Sequence, residues 1–290
     1  MGEILDVALR IYRAHAATLL RVAALAAPVI VLVSALGAPF ADDTRGIDDG
    51  SGGTVEVPTT GALVASLATL VVVTLVAAFV GGALTRALAA GTFGLPVDVA
   101  GSLDTARTRL GGLAAVAVLV PVLAGLALLA CIAPGVYLFT GWFVAVPALI
   151  LEQRSPTRAM GRSFELVRGQ WWPTFALVLL SGILAAIASF ALSAPFEFIA
   201  RRIGGGDAAG AVLSGIGAAI AFVLVTPFQA AVAVVRYVDL RLRKEPYELE
   251  ALAHDLGWAG HLDVPPPPPG WSPPPPPGDS SPGWPDRPPN

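Results

Sequence analysis

Leu151–Trp172, LEQRSPTRAMGRSFELVRGQWW, is the one strongly charged stretch between two long apolar runs in the middle of the chain. Ser155 is placed to N-cap a helix whose first residue is Pro156, a position where a missing N–H costs nothing. At about 100° per residue, Met160, Phe164, Val167 and Trp171 share one face, while Arg158, Arg162 and Glu165 point the other way. Such a helix, with basic flanks and with Trp171 and Trp172 at the next apolar border, is expected to lie at headgroup level on a membrane. Its apolar face sinks and its arginines stay wet. Arg158, Arg162, Arg168, Trp171 and Trp172 are therefore the candidate lipid-headgroup contacts.

Composition supports a membrane setting. The 290-residue chain is 55% hydrophobic and 13% charged, with a mean hydropathy of +0.71, whereas charged residues make up about 25% of soluble domains. An ordinary soluble domain is excluded. The net charge of −3 carries little information, because acidic and basic residues are segregated along the chain. The single Cys131 rules out a disulfide framework or a cysteine-rich metal site and is expected to be a small core residue. One lysine against seventeen arginines, with abundant Ala, Gly, Val and Pro, is the composition expected of a GC-rich bacterial genome.

An unpaired charge at mid-bilayer costs about 2.5–3.5 kcal/mol, so charge-free runs locate the spans. These are Val22–Ala41, Val57–Thr85, Leu110–Leu151, Gly169–Phe196 and Ala208–Val235, and a span needs about 20 residues. The third run, 42 residues long, holds two spans, with Pro134 and Gly135 as the turn between them. The fold class is thus all-α and polytopic: six transmembrane helices near 19–38, 61–88, 111–133, 135–151, 172–194 and 210–235. With that count, Arg10 to Arg21, Arg86 to Arg109, Arg154 to Arg168 and the cations from Arg236 onward fall on one side, fifteen in all. Only Arg45, Arg201 and Arg202 fall on the other. The positive-inside rule then puts both termini in the cytoplasm of a bacterial plasma membrane.

Residues 1–38 have a competing reading as a signal peptide. The leader is long, carries Glu3 and Asp6, and is itself amphipathic, with Ile4, Ala8 and Ile11 opposite Glu3, Asp6, Arg10 and Arg13. A second surface helix is the expectation here. Val99, Leu103, Ala106 and Leu110 mark a third before the third span. Three surface helices, each followed by two spans, point to a triplicated unit, with chance amphipathic spacing as the alternative. The acidic loop carrying Asp42, Asp43, Asp48, Asp49 and Glu56 lacks the ligand order of an EF-hand and is expected to be a solvated, flexible loop. After the last span a charged helix is expected over 237–258, broken at Pro246. Residues 259–290 hold two five-proline runs and are expected to form a disordered, polyproline II-biased tail, either a spacer or a ligand for a protein partner's aromatic groove.

Catalysis needs titratable groups brought together, and the six expected spans contain no Asp, Glu, His or Lys. Arg86, near the end of the second expected span, can snorkel to the headgroups. His15, His254 and His261 are dispersed, and no phosphate-binding loop, nucleophile elbow or zinc motif appears. No enzyme activity, cofactor or metal is expected. Thr226 and Gln229, beside Pro227, are the candidate intramembrane polar contacts, serving helix packing or a substrate. Pro28, Pro121, Pro147 and Pro227 are candidate kinks.

GEILDVALRIYRAH (Gly2–His15), PALILEQRSPTRAMGRSFELVRGQWW (Pro147–Trp172) and RYVDLRLRKEPYELEALA (Arg236–Ala253) together resemble a bacterial family common in actinobacteria. That family is related to the membrane domain of glycerophosphoryl diester phosphodiesterase and similar to YciC-type inner-membrane proteins. The resemblance covers about residues 2–256 and implies a multi-span membrane module. It implies no phosphodiesterase activity, because the acidic metal-binding and paired-histidine pattern of that enzyme is missing from this sequence. The resulting reading is a non-enzymatic membrane scaffold or interaction module contacting anionic lipid. Its expected partners are membrane lipids and a protein on the tail, with no nucleic acid. The alternative is a transporter or lipid-handling protein with a cavity at the proline-kinked helices, and a polar cavity around Thr226 and Gln229 would favour it.

Overall fold

Long apolar segments can satisfy their backbone in hydrocarbon only as helices or closed barrels. The computed structural model describes residues 2–41, 44–48, 54–92, 97–204 and 208–244, and among them the chain forms eleven helices and one hairpin. In order these are α1 (Gly2–Ala14), α2 (Ala16–Ala24), α3 (Ala27–Ala41), β1 (Thr44–Asp48), β2 (Thr54–Pro58), α4 (Thr60–Thr92), α5 (Val99–Thr108), α6 (Leu110–Ala130), α7 (Ile132–Gly141), α8 (Ala145–Leu151), α9 (Pro156–Val167), α10 (Trp171–Gly204) and α11 (Ala208–Lys244). Six segments are long and apolar enough to cross a bilayer: Ala16–Gly37, Thr60–Thr92, Leu110–Ala130, Ile132–Leu151, Trp171–Arg202 and Ala209–Lys244. The protein is an all-α, multi-pass membrane protein. Leu36, Leu67, Leu129 and Phe190 stand outward on it, a surface that suits hydrocarbon and not water. A short helix precedes each pair of spans: α1, α5 and α9.

Pro39, Pro121, Pro195 and Pro227 lie inside continuous helices, whereas other prolines sit near helix starts. The first span divides at Leu25 and Ala26, and Pro28 is the second residue of α3, where its N–H has no intrahelical partner to lose. The turn between the third and fourth spans is at Cys131, in extended backbone (φ −166, ψ 141). Pro134 and Gly135, expected as the turn, lie instead in the opening turns of α7. Cys131 is exposed at this hairpin apex and is not the core residue that its apolar surroundings predict. Gly135 is required by a close crossing, since a Cβ there would lie 2.6 Å from the Leu128 Cα. The fourth span is interrupted again at Trp142–Val144 before α8, in which Ala145 and Pro147–Leu151 are buried. The acidic loop contains more order than its composition predicts. β1 and β2 pair antiparallel with Thr44 opposite Pro58 and Asp48 opposite Thr54, as the β-branched residues of TRGID and TVEVP favour. Asp42, Asp43 and Asp49, the part of the expected charged helix over 245–258 and the expected tail 259–290 lie outside the described residues.

Contacts between distant elements show which ends of the helices gather. The His15 ring lies 3.1 Å from where a Cβ on Gly91 would stand. Arg109 donates to the Gln153 carbonyl, Tyr237 to Glu152 and Arg236 to the Gln170 carbonyl. The arginine-rich segments before and between the spans, and Arg236 near the end of α11, therefore share one end of the bundle. Cys131 and the β1–β2 hairpin are at the other, where Gly217 meets Phe196. This is the alternation that six crossings require. Met1–Leu240 form one compact unit and Arg241–Asn290 a second, of which the described part is the last turn of α11.

Candidate functional site

Helix α9 begins as its sequence predicts. Ser155 is extended (φ −70, ψ 156), Pro156 opens the helix, and the Ser155 side chain makes no capping hydrogen bond. The helix stops where Gly169 adopts a left-handed φ of 83, the usual way for a glycine to end a helix. Its buried face is Ala159, Met160, Ser163, Leu166 and Val167, so the centre lies at Ser163 and not between Met160 and Phe164. The Ser163 hydroxyl donates to the Gly141 carbonyl at 2.7 Å, which makes burial of this polar residue tolerable. Phe164 is displaced to the flank and meets Tyr137 edge-on, ring centres 5.3 Å apart.

That rotation separates the arginines. Arg158 and Arg168 remain exposed, whereas the Arg162 side chain is only 10% exposed and faces Glu152. Arg162 Nε is 3.1 Å from each carboxylate oxygen of Glu152. Arg154 Nε approaches the same carboxylate at 2.6 Å, and the Tyr237 hydroxyl donates to it at 2.8 Å. Glu152 is 6% exposed, so two guanidinium groups and a phenol replace the water it has lost. Gln153, next in sequence, has a left-handed φ of 50 that turns the chain from α8 into α9. Arg109 fixes this turn through the Gln153 carbonyl at 3.2 Å and its side-chain oxygen at 3.0 Å.

A second buried cation ties α10 to α11. The Arg236 side chain is 3% exposed and lies 2.6 Å from the Asp239 carboxylate. Its other nitrogens donate to the Thr174 hydroxyl at 2.8 and 3.2 Å and to the Gln170 carbonyl at 3.3 Å. Thr174 in turn donates to the Gln170 carbonyl at 2.7 Å. Beside this cluster Trp171 Nε1 donates to the Tyr137 carbonyl at 3.3 Å, and its ring stacks on Phe175 at 5.2 Å. Trp172 is 73% exposed. The two tryptophans thus divide the work, one packed inward and one outward.

The candidate intramembrane polar pair is placed differently. Gln229 Nε2 donates to the Ser181 carbonyl at 3.3 Å, linking α11 to α10, and Thr226 is half-buried nearby on α11. The two described grooves are lined by neither residue. One, of about 390 Å³, runs between α3 and α11, and the other, of about 560 Å³, between α6, α7 and α10 around Pro121; both are apolar. At the first groove the Tyr12 hydroxyl donates to the Leu224 carbonyl at 3.3 Å. Burial raises the Tyr12 pKa above its ordinary value, so the phenol stays neutral and able to donate.

Sequence reasoning missed Glu152, Arg236 and Tyr237. A signal for the first was available: Glu152 is the one acidic residue between Asp104 and Glu165, and it directly follows an apolar run and precedes three arginines. Among the described residues no three His, Cys, Asp or Glu side chains converge as a metal site would require. Comparisons with protein-family models, curated proteins and solved structures return no match.

Proposed function

We propose that this protein is a non-enzymatic module of a bacterial plasma membrane whose arginine-rich end faces the cytoplasm and holds anionic lipid headgroups. The observation that carries this reading is the division among the arginines of this segment. Arg162 faces Glu152 at 10% exposure, while Arg158 and Arg168 are exposed and Arg168 precedes the outward Trp172 by four residues. Cations beside an interfacial tryptophan are the arrangement that binds an anionic headgroup, and each contributes about 1 kcal/mol near the surface. The polar groups that do cluster are engaged with one another: Glu152 with Arg154, Arg162 and Tyr237, Arg236 with Thr174 and Asp239. Such saturated groups are suited to fastening helices, not to proton transfer. The apolar character of both grooves disfavours a pathway for a polar solute.

Arg158→Gln with Arg168→Gln should reduce the preference for phosphatidylglycerol over phosphatidylcholine about thirtyfold, consistent with two surface cations at about 1 kcal/mol each. Native mass spectrometry of the purified protein measures this, and an unchanged preference would remove the headgroup assignment. Orientation has a separate test in Cys131, which is the single cysteine in the chain and is exposed at the end opposite the arginines. A membrane-impermeant maleimide should label it on spheroplasts, with Cys131→Ala as control. Labelling seen only after lysis would reverse the proposed orientation.

A further inference from the structure

Three connections lie at the end opposite the arginine-rich segments, and two of them are polar: DDTRGIDDGSGGTVEVPT at 42–59 and RRIGGGD at 201–207. The third, the α6–α7 turn, is apolar. From Leu110 to Val136 the Cys131 thiol is the most polar side chain, and every residue from Leu128 to Pro134 is exposed. Leu129 is 86% and Ile132 73% exposed.

This turn also stops short of its neighbours. A Cβ on Gly82 of α4 would lie 2.5 Å from a Leu113 methyl of α6, so the two antiparallel helices are level there. At 1.5 Å per residue α4 extends about 33 Å from Gly82 to Thr60, and α6 about 26 Å from Leu113 to Ala130. The α10 helix reaches further still. Gly135 and Leu128 share a groove with Ala186, and α10 continues to Gly204, about 27 Å beyond that level. The turn itself leaves few backbone groups open. Cys131 alone joins the helices, its N–H donates to the Ala127 carbonyl at 2.9 Å, and Pro134 in the first turn of α7 has no N–H to satisfy. Economy of this kind suits backbone away from water.

We infer that the α6–α7 hairpin turns round within the leaflet opposite the arginine-rich end, so that acyl chains of that leaflet, and not water, surround Leu129 and Ile132. A recess of about 7 Å below the end of α4 is the depth of the headgroup region, about 5–7 Å on each side of the hydrocarbon. It puts the apex at the top of the acyl chains. A second copy of the chain fits less well, because a packed helix covers one face, whereas exposure continues without a break from Leu128 to Pro134. Both ends of the hairpin stay at the arginine-rich end, so the alternation of the other spans is unchanged and the inference does not depend on the headgroup reading.

Depth is measured on the full chain in phosphatidylcholine vesicles, with a bimane on Cys131. The comparison is a bimane on Arg45→Cys in a Cys131→Ala background, since Arg45 is exposed on β1. Phosphatidylcholine carrying a nitroxide high on its acyl chain should quench the Cys131 probe and leave the β1 probe bright. Iodide on both sides of the membrane should quench the Cys131 probe about tenfold less than the β1 probe, because an ion is excluded from hydrocarbon. Collisional quenching reads the average depth within nanoseconds, whereas a maleimide on spheroplasts has minutes in which to meet a thiol that rises briefly to the water. Iodide quenching equal to that of the β1 probe would put the apex in water and overturn the inference. Protection from both quenchers would mean that protein covers the apex, and would overturn it as well.

Discussion

Glu152→Ala should destabilise the folded bundle by about 3–5 kcal/mol, the usual cost of leaving one member of a buried ion pair without its partner. The partner left behind is Arg162, whose side chain is 10% exposed and which keeps a longer pairing, 3.8 Å, with the exposed Glu165, and Tyr237 loses the Glu152 acceptor at the same time. Arg154 contributes little to the figure, because at 43% exposure water can replace the carboxylate. A double variant should behave differently. Glu152→Leu with Arg162→Met removes both charges, and replacing a buried ion pair by apolar groups is often neutral or stabilising, so most of the loss should return. Reversible unfolding in mixed micelles, followed by circular dichroism, measures both. A loss below about 1 kcal/mol for Glu152→Ala, the range of a surface pair, would show that water reaches this site and that the pair is not a fastening.

Gly135→Ala should cost as much as severe overpacking does, about 3 kcal/mol or more. The added Cβ would lie 2.6 Å from the Leu128 Cα and 2.7 Å from its backbone nitrogen, and neither atom can move without displacing α6. Leu128→Ala should therefore fail to rescue the variant. Gly82→Ala provides the contrast: its Cβ would meet the Leu113 methyls at 2.5 and 2.9 Å, which a rotamer change can relieve, so Leu113→Ala should rescue it. The same unfolding measurement decides. Rescue of Gly135→Ala by Leu128→Ala would mean that side-chain crowding, and not the approach of the two backbones, sets the α6–α7 hairpin.

The six crossings were legible because an apolar run without charges leaves the backbone no other solution in hydrocarbon, and their observed bounds differ from expectation mainly at their ends. The orientation of α9 about its own axis was not. A 3.6-residue period counts Ser163 as polar and so steers the buried face toward Phe164. In the folded protein the Gly141 carbonyl is available to Ser163, and that partner lies 22 residues away, where no local pattern can register it. The error carries over to Arg162, which stands on the flank of the true buried face and is drawn in by Glu152. Arg158, one turn earlier, has no such carboxylate beside it among the contacts described. The hairpin at 44–58 was obscured for a related reason: the density of Asp and Gly hid the alternation of Val55 and Val57. The turn at Cys131 came three residues early because proline in the first turn of a helix starts it as readily as proline elsewhere ends one.

The fourth span, made of α7 and α8, is the least hydropathic of the six and the only one more than half enclosed by the rest of the protein. A segment of that kind partitions weakly from the translocon into bare lipid, since insertion is governed by the apolar surface that a lone helix presents. Its neighbour α6, synthesised immediately before it and crossing it at Gly135, supplies the surface that lipid does not. Biogenesis must then release the two as a pair, and the ribosome has to complete α8 before either can leave the insertion machinery in its final place.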